Sequence, residues 1–396
     1  MCFFLFAILF SCDVSANEIV TAPNDSLFSQ QRKLFETLHV LEAWGLTQGS
    51  PAVLIGVIDN GFDFYHPDLK NQLIPGFYAS GGYHPENVVC NAHGTMVSSL
   101  INAISDNRNG ISGLAPKCKI LTASYGMIEH DVIKMQIEFK RNNPDSDAEA
   151  LQREMAKRRD EIDAFNVRWN EYISKGNSEA IYYLVDRGVK VINMSSFISK
   201  GLLPVEADWD AFERAFSYAA EHDVIIVLGA GNSGTEVNDY PGNGENTIIA
   251  GASLFDDTRW GEAKAAVNQA VTQGSCYGDR LTVVAPVESL TVCWPHEGRF
   301  SRCDDGPAGP IGDTSVPEED EARMYMTIPV GATSSAAPIV TSLVALVRTL
   351  RPDLDAKNVI QIIEQGADDI GKEGFDIYTG YGRVNFLKTL ELAQRW

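Results

Sequence analysis

The 396-residue chain carries a formal charge of −21 and is 44% hydrophobic, so it can bury a large core. Acidic surface without a cluster of basic and aromatic residues argues against nucleic acid as a partner. The length admits two or three domains, but its elements in order compose one large α/β domain with insertions.

At the N-terminus, Phe3 to Phe10 is apolar but too short to span a bilayer, and Val14-Ser15-Ala16 supplies small residues for cleavage. This predicts a signal peptide over 1–16, a mature N-terminal segment over 17–44, and a secreted or periplasmic protein. Leu9-Phe10-Ser11-Cys12 also looks like a lipobox, and the alternative is a membrane-anchored lipoprotein with lipid on Cys12.

The body over 45–396 opens with Val53-Leu54-Ile55-Gly56-Val57-Ile58, a continuous apolar run expected of a strand buried on both faces. It ends at Asp59, on the strand edge where α/β sheets collect ligands. Taken alone, such an Asp is usually a turn or cap residue. His93 starts an apolar stripe at helical spacing, through Val97, Leu100, Ile101 and Ile104. Over 127–175 a helical insertion is expected. Ser146-Asp147-Ala148-Glu149 is a capping box, Met155, Ile162, Phe165, Trp169 and Tyr172 follow at helical intervals, and a shorter helix near 131–141 would complete an αα-hairpin. The insertion reads as packing embellishment, or as a lid or arm for a protein partner.

Val189 to Ser195 and Asp223 to Leu228 read as further strands, the second ending in Gly229-Ala230-Gly231-Asn232-Ser233-Gly234. That segment also fits G-x-G-x-x-G, with Asp256 and Asp257 downstream. A dinucleotide site, however, needs a helix in between, and Tyr240-Pro241-Gly242-Asn243-Gly244 breaks one. Residues 292–326, with the acidic run Glu318 to Glu321, read as a loop insertion. Last, small residues from Ala332 to Ala337 lead through Pro338 into the apolar run Ile339 to Leu350, a buried helix with serines at its N-terminus.

Five cysteines follow Ala16, and export would allow them to oxidise. Cys293 with Cys303 and Cys90 with Cys118 are the local pairs, leaving Cys276, although sequence does not fix connectivity. Neither a Cys-x-x-Cys nor a His-Glu-x-x-His motif occurs, which disfavours zinc chemistry.

Asp59 in Val57-Ile58-Asp59-Asn60-Gly61, His93 in Asn91-Ala92-His93-Gly94-Thr95, and Ser334 in Ala332-Thr333-Ser334-Ser335-Ala336-Ala337-Pro338 stand in the order Asp, His, Ser. Order and motifs resemble the subtilisin-like serine proteases, across most of 45–395. The resemblance implies a three-layer α/β fold with a mostly parallel central sheet and helices on both faces. It also implies a serine endopeptidase with nucleophile Ser334, base His93, orienting acid Asp59 and oxyanion donor Asn232. Ala332 stands where the family has Gly and Ser335 where Met is usual.

Substrate-binding candidates by the same resemblance are Ser195, Ser196, Phe197, Ala230, Gly231, Pro241 and Gly242. Ser196-Phe197 replaces the usual Leu-Gly, so specificity does not transfer. Peptide or protein substrates are the implied partners, and the chemistry requires no cofactor. A structural calcium ion is implied through Asp68 and Asn107. About thirty residues between Asn17 and Trp44-Gly45 leave no room for the family's folding-assisting propeptide, on the length read from the sequence. The alternatives are a transpeptidase or macrocyclase of the same fold, and a degenerate protease serving as a binding scaffold.

Overall fold

The computed structural model describes residues 21–396 except 60, 65, 79–92, 125–138, 140–141, 144–145, 147, 197–205, 243, 263–272, 288–289, 294–324 and 329–331. The signal peptide with Cys12, Cys90, Phe197, Cys303, most of 292–326 and all but Phe139 of the shorter helix near 131–141 therefore lie outside the described residues.

Seven strands, β1 (Leu54–Asp59), β2 (Leu73–Tyr78), β3 (Lys119–Ser124), β4 (Val191–Met194), β5 (Ile225–Gly229), β6 (Thr247–Ser253) and β7 (Val283–Pro286), form one sheet in the order β2-β3-β1-β4-β5-β6-β7. Every neighbouring pair is parallel. A second, two-stranded sheet pairs β8 (Leu290–Cys293) with β9 (Tyr325–Ile328) antiparallel, so the ends of the expected loop 292–326 are strand-paired. The described helices are α1 (Phe28–Thr37), α2 (Val40–Trp44), α3 (His93–Asn102), α4 (Ala148–Lys157), α5 (Arg159–Asp186), α6 (Glu206–Glu221), α7 (Thr333–Leu350), α8 (Ala356–Gly366) and α9 (Phe386–Arg395).

Alternation along the central strands sorts the core into two halves. Ile55 and Val57 of β1, Val191 of β4 and Val227 of β5 pack with α1, α2, α3, α7, α8 and α9 on one face. Ile58, Ile192, Met194, Ile226 and Leu228 pack with α5 and α6 on the other. The result is the expected three-layer fold. Helix α7 is apolar around its whole circumference, with Ile339 to Val347 fully buried, as a helix through the core must be.

Connections from β1 run to β2 and β3 on one side of the sheet, whereas β4 continues to β5 on the other. The carboxyl ends of β1 and β4 thus flank a topological switch point, where open α/β sheets form their ligand crevice.

Where one long helix is expected through Met155 to Tyr172, the described residues form two in sequence, and all but Phe139 of the shorter helix of the expected hairpin lies outside them. Helix α4 ends at Lys157, the chain breaks its regular path at Arg158, and α5 runs on to Asp186, with Ala180, Ile181 and Leu184 under the sheet. None of the described residues of α4 is buried, and its Glu149–Arg153 and Glu154–Lys157 ion pairs lie within the helix. From Ser174 onward α5 is core.

One cysteine pairing is corrected. Cys118 is a free, fully buried thiol beside Thr349 of α7, and burial pushes its pKa up, so no bond joins it to Cys90. Cys276 is free, as the local pairing had left it.

Candidate active site

Asp59 ends β1, in register with Ser124 of β3, and its carboxylate is 2% exposed. Across the switch point, His93 opens α3 and turns Nδ1 to both Asp59 oxygens, at 2.8 and 2.9 Å. The imidazole remains 35% exposed. Its pKa is raised, chiefly by the negative charge of Asp59 and further by their hydrogen bond, against a burial effect in the opposite direction. With Nδ1 committed to the carboxylate, Nε2 is the nitrogen placed to accept a proton.

Ser334 lies in the first turn of α7, where N–H groups have no intrahelical acceptor. Its Oγ is 3.1 Å from the carbonyl oxygen of Ser195, the residue after β4, and donates to it. Ser335 is 7% exposed and turned into the protein, whereas Ser334 is half-buried at the edge.

Asn232 follows β5 and is exposed. Its Oδ1 accepts from Thr333 N at 3.0 Å and from Thr333 Oγ1 at 2.8 Å, which leaves Nδ2 as the donor end of the amide. Thr333 Oγ1 also accepts from Gly231 N at 3.1 Å. The β5 end and the α7 start approach so closely that a Cβ at Gly229 would lie 3.1 Å from Thr333 Oγ1 and 3.2 Å from its carbonyl oxygen. Gly231, at φ +100°, then turns the chain in a conformation that L side chains rarely adopt.

Of the expected substrate-binding residues, Ser195 and Ser196 extend β4, and Ala230 and Gly231 extend its neighbour β5. Tyr240 ties the third segment to them, its hydroxyl donating to the Ala230 carbonyl at 2.7 Å. Burial pushes that phenol's pKa up. Pro241 and Gly242 are buried behind this contact, with Gly242 N donating to Glu213 of α6 at 3.3 Å, so they support the wall from behind. Thr333 and Tyr240 carry contacts that the motifs did not assign. The hydroxyl next to Ser334 was the available signal for the first, and the resemblance of Tyr240-Pro241-Gly242 to a pocket-wall segment was the signal for the second.

Asp68 and Asn107 do come together, yet not as an oxygen cage. Asn107 Nδ2 donates to Asp68 Oδ1 at 2.7 Å, Ile111 N donates to Asp68 Oδ2 at 2.8 Å, and Asn107 Oδ1 accepts from Asn109 N at 2.7 Å. Calcium requires oxygens facing one point, and here N–H donors occupy the positions facing the carboxylate. The residues do not fit the ion. The N-terminal segment holds the same loop: Asp106 N and Asn107 N donate to buried Asp25 at 3.2 and 3.0 Å, and Gln31 exchanges two hydrogen bonds with the Ser112 backbone. Among the described residues no group of three or more His, Cys, Asp or Glu side chains is placed to hold a metal.

A carboxylate-held imidazole, a serine hydroxyl at a helix N-terminus and an amide donor beside it, gathered on one strand edge, suit nucleophilic acyl transfer. A family model described as the subtilase family matches residues 50–382. The chain belongs to that family and is a serine endopeptidase.

Relatives include the thermophilic serine proteinase of Bacillus sp. (strain AK1), 27% identical over 371 residues that cover 92% of this chain and 68% of that protein. Thermitase of Thermoactinomyces vulgaris is 24% identical over 370 residues, covering 93% of this chain and 99% of its own. The crystal structure of a lanthipeptide protease shares the fold, with a TM-score of 0.63 and 21% identity over 95% of this chain and 99% of that one. No helix follows Gly229 among the described residues before β6.

Proposed function

We propose that the chain is an exported serine endopeptidase acting through Asp59, His93 and Ser334. Ser334 Oγ attacks the scissile carbonyl carbon as His93 Nε2 takes the hydroxyl proton. The oxyanion is received by Asn232 Nδ2 and the Ser334 N–H, and collapse of the intermediate expels the amine with the proton from His93. Water, deprotonated by His93, then releases the acyl group and restores the serine. Asp59 keeps the imidazole in the required tautomer and stabilises the imidazolium. An extended substrate would pair with the backbone beyond β4, at Ser195 and Ser196, and side-chain selection would come from pockets between β4 and β5. Export rests on the apolar run Phe3 to Phe10 followed by Val14-Ser15-Ala16.

The observation that carries this reading is the Asp59–His93 pair at 2.8 Å on the same strand edge as the α7 N-terminus bearing Ser334. The test is covalent labelling by a fluorophosphonate together with peptide cleavage. Ser334→Ala should lose both, while Ser335→Ala keeps most activity; turnover retained by Ser334→Ala would refute the assignment. Mass spectrometry separates hydrolysis from transpeptidation, because only hydrolysis places an oxygen from labelled water in the new carboxylate. An unlabelled wild-type chain would leave the scaffold alternative.

A further inference from the structure

We propose that Thr341, Asn193 and Ser195 are positioning residues that hold the main chain of Ser334, filling a hydrogen bond that Pro338 leaves open. The proposal rests on the reading of Ser334 as the nucleophile. In a regular α-helix the N–H of residue 338 would donate to the carbonyl of residue 334. Pro338 lies inside α7 and has no N–H, so that intrahelical bond cannot form. The Ser334 carbonyl accepts instead from Ser195 Oγ at 3.0 Å. Ser195 Oγ in turn accepts from Asn193 Nδ2 at 3.0 Å, and Asn193 Oδ1 accepts from Thr341 Oγ1 at 3.0 Å.

The path starts on α7 at Thr341, crosses to β4 and returns to α7 at Ser334, two turns nearer the cleft. Asn193 and Thr341 are fully buried, and Ser195 is 7% exposed. Each hydroxyl proton is committed in one direction, and both ends of the Asn193 amide are used. Reversing any bond would strand a buried donor or acceptor, so the chain has one low-energy polarity. Ser334 Oγ also lies 3.1 Å from the Ser195 carbonyl, so Ser195 holds the proposed nucleophile through main chain and side chain alike. Thr341 stands about 10 Å down the helix from Ser334, at 1.5 Å per residue, and acts only through the other two.

The test measures kcat, KM, fluorophosphonate labelling rate and melting temperature on one set of variants. Thr341→Val keeps the side-chain shape and removes the hydroxyl. It should lower kcat and labelling about tenfold with KM within about twofold, a fraction of the roughly hundredfold cost of a 1 Å misplacement. Thr341→Ser, which keeps the hydroxyl, should stay near wild type. Ser195→Ala should lose more, and adding Pro338→Ala to it should restore part of kcat, because the new N–H reaches the Ser334 carbonyl.

Wild-type kcat in Thr341→Val, or no recovery when Pro338→Ala is added to Ser195→Ala, overturns the proposal. The second comparison decides by itself if Thr341→Val does not fold. Ser334→Ala in the same assay separates the two levels. Labelling retained by that variant defeats the nucleophile assignment, whereas a silent Ser334→Ala beside a fully active Thr341→Val defeats only the relay.

Discussion

At Asn232 the carbonyl end of the amide is fixed by two bonds from Thr333, so the donor end is oriented before any substrate arrives. Charge on the substrate oxygen develops only in the transition state. Asn232→Ala should therefore lower kcat about 10²–10³-fold, the range found for one such donor in a subtilisin, with KM nearly unchanged. Steady-state kinetics checks this, and a rise in KM at constant kcat would assign Asn232 to ordinary binding. His93 gives a pH prediction. Its raised pKa derives first from the Asp59 charge, and only the neutral imidazole can take the Ser334 proton. Activity should rise as pH climbs through that raised value. Asp59→Asn removes the charge, so the acid limb of kcat/KM should move to lower pH, while the plateau drops by about 10⁴ through loss of the tautomer. An acid limb that stays in place would detach it from His93.

At the scale of elements, the motifs placed Asp59, His93 and Ser334 because each lies at the end of a strand or helix whose apolar pattern is unmistakable. What the sequence did not disclose are contacts between such ends. The Asn232–Thr333 bond joins residues 101 apart, and the Ser195–Ser334 bonds join residues 139 apart. Both depend on the order in which strands pair. The Cys90–Cys118 expectation failed for the same reason: the two bracket the His93 helix in sequence, but Cys118 packs against α7.

The helical stripe from Met155 to Tyr172 was legible as helix, but its period could not say where burial begins. None of the described residues of α4 is buried, whereas α5 is core from Ser174 onward. Replacing 127–157 with a Gly-Ser link should therefore leave cleavage of a small chromogenic peptide and the melting temperature near wild type, while changing cleavage of long or folded substrates. Equal loss on both substrates with a falling melting temperature would make α4 part of the packed fold.

For the molecule as a whole, the N-terminal segment binds the body through the buried carboxylate of Asp25, which accepts from the backbone N–H groups of Asp106 and Asn107. Asp25 is raised to about 6, first by burial, against the hydrogen bonds from Asn107 and Asp106 that lower it. The folded state therefore prefers the neutral acid. Its stabilising contribution is full below the unfolded value near 3.8 and is lost as pH rises through about 6. Wild type should gain melting temperature relative to Asp25→Asn between pH 7 and pH 5. With Asp68 and Asn107 bonded to N–H groups, EDTA should leave both proteins unchanged. Parallel pH-dependent melting curves, or a fall in melting temperature on chelation, would overturn this account of the loop.

The order of the chain has a consequence for synthesis. Ser334 and the helix it opens emerge after all seven strands of the main sheet, and α7 fills the core between β4, β5 and the outer helices. A nascent chain on the ribosome can thus carry Asp59, His93 and Asn232 on completed elements and the turns between them and still lack the group that attacks. Under the proposed mechanism, cutting power arrives in one step when α7 docks, so the growing polypeptide is protected from its own chemistry by the calendar of its translation.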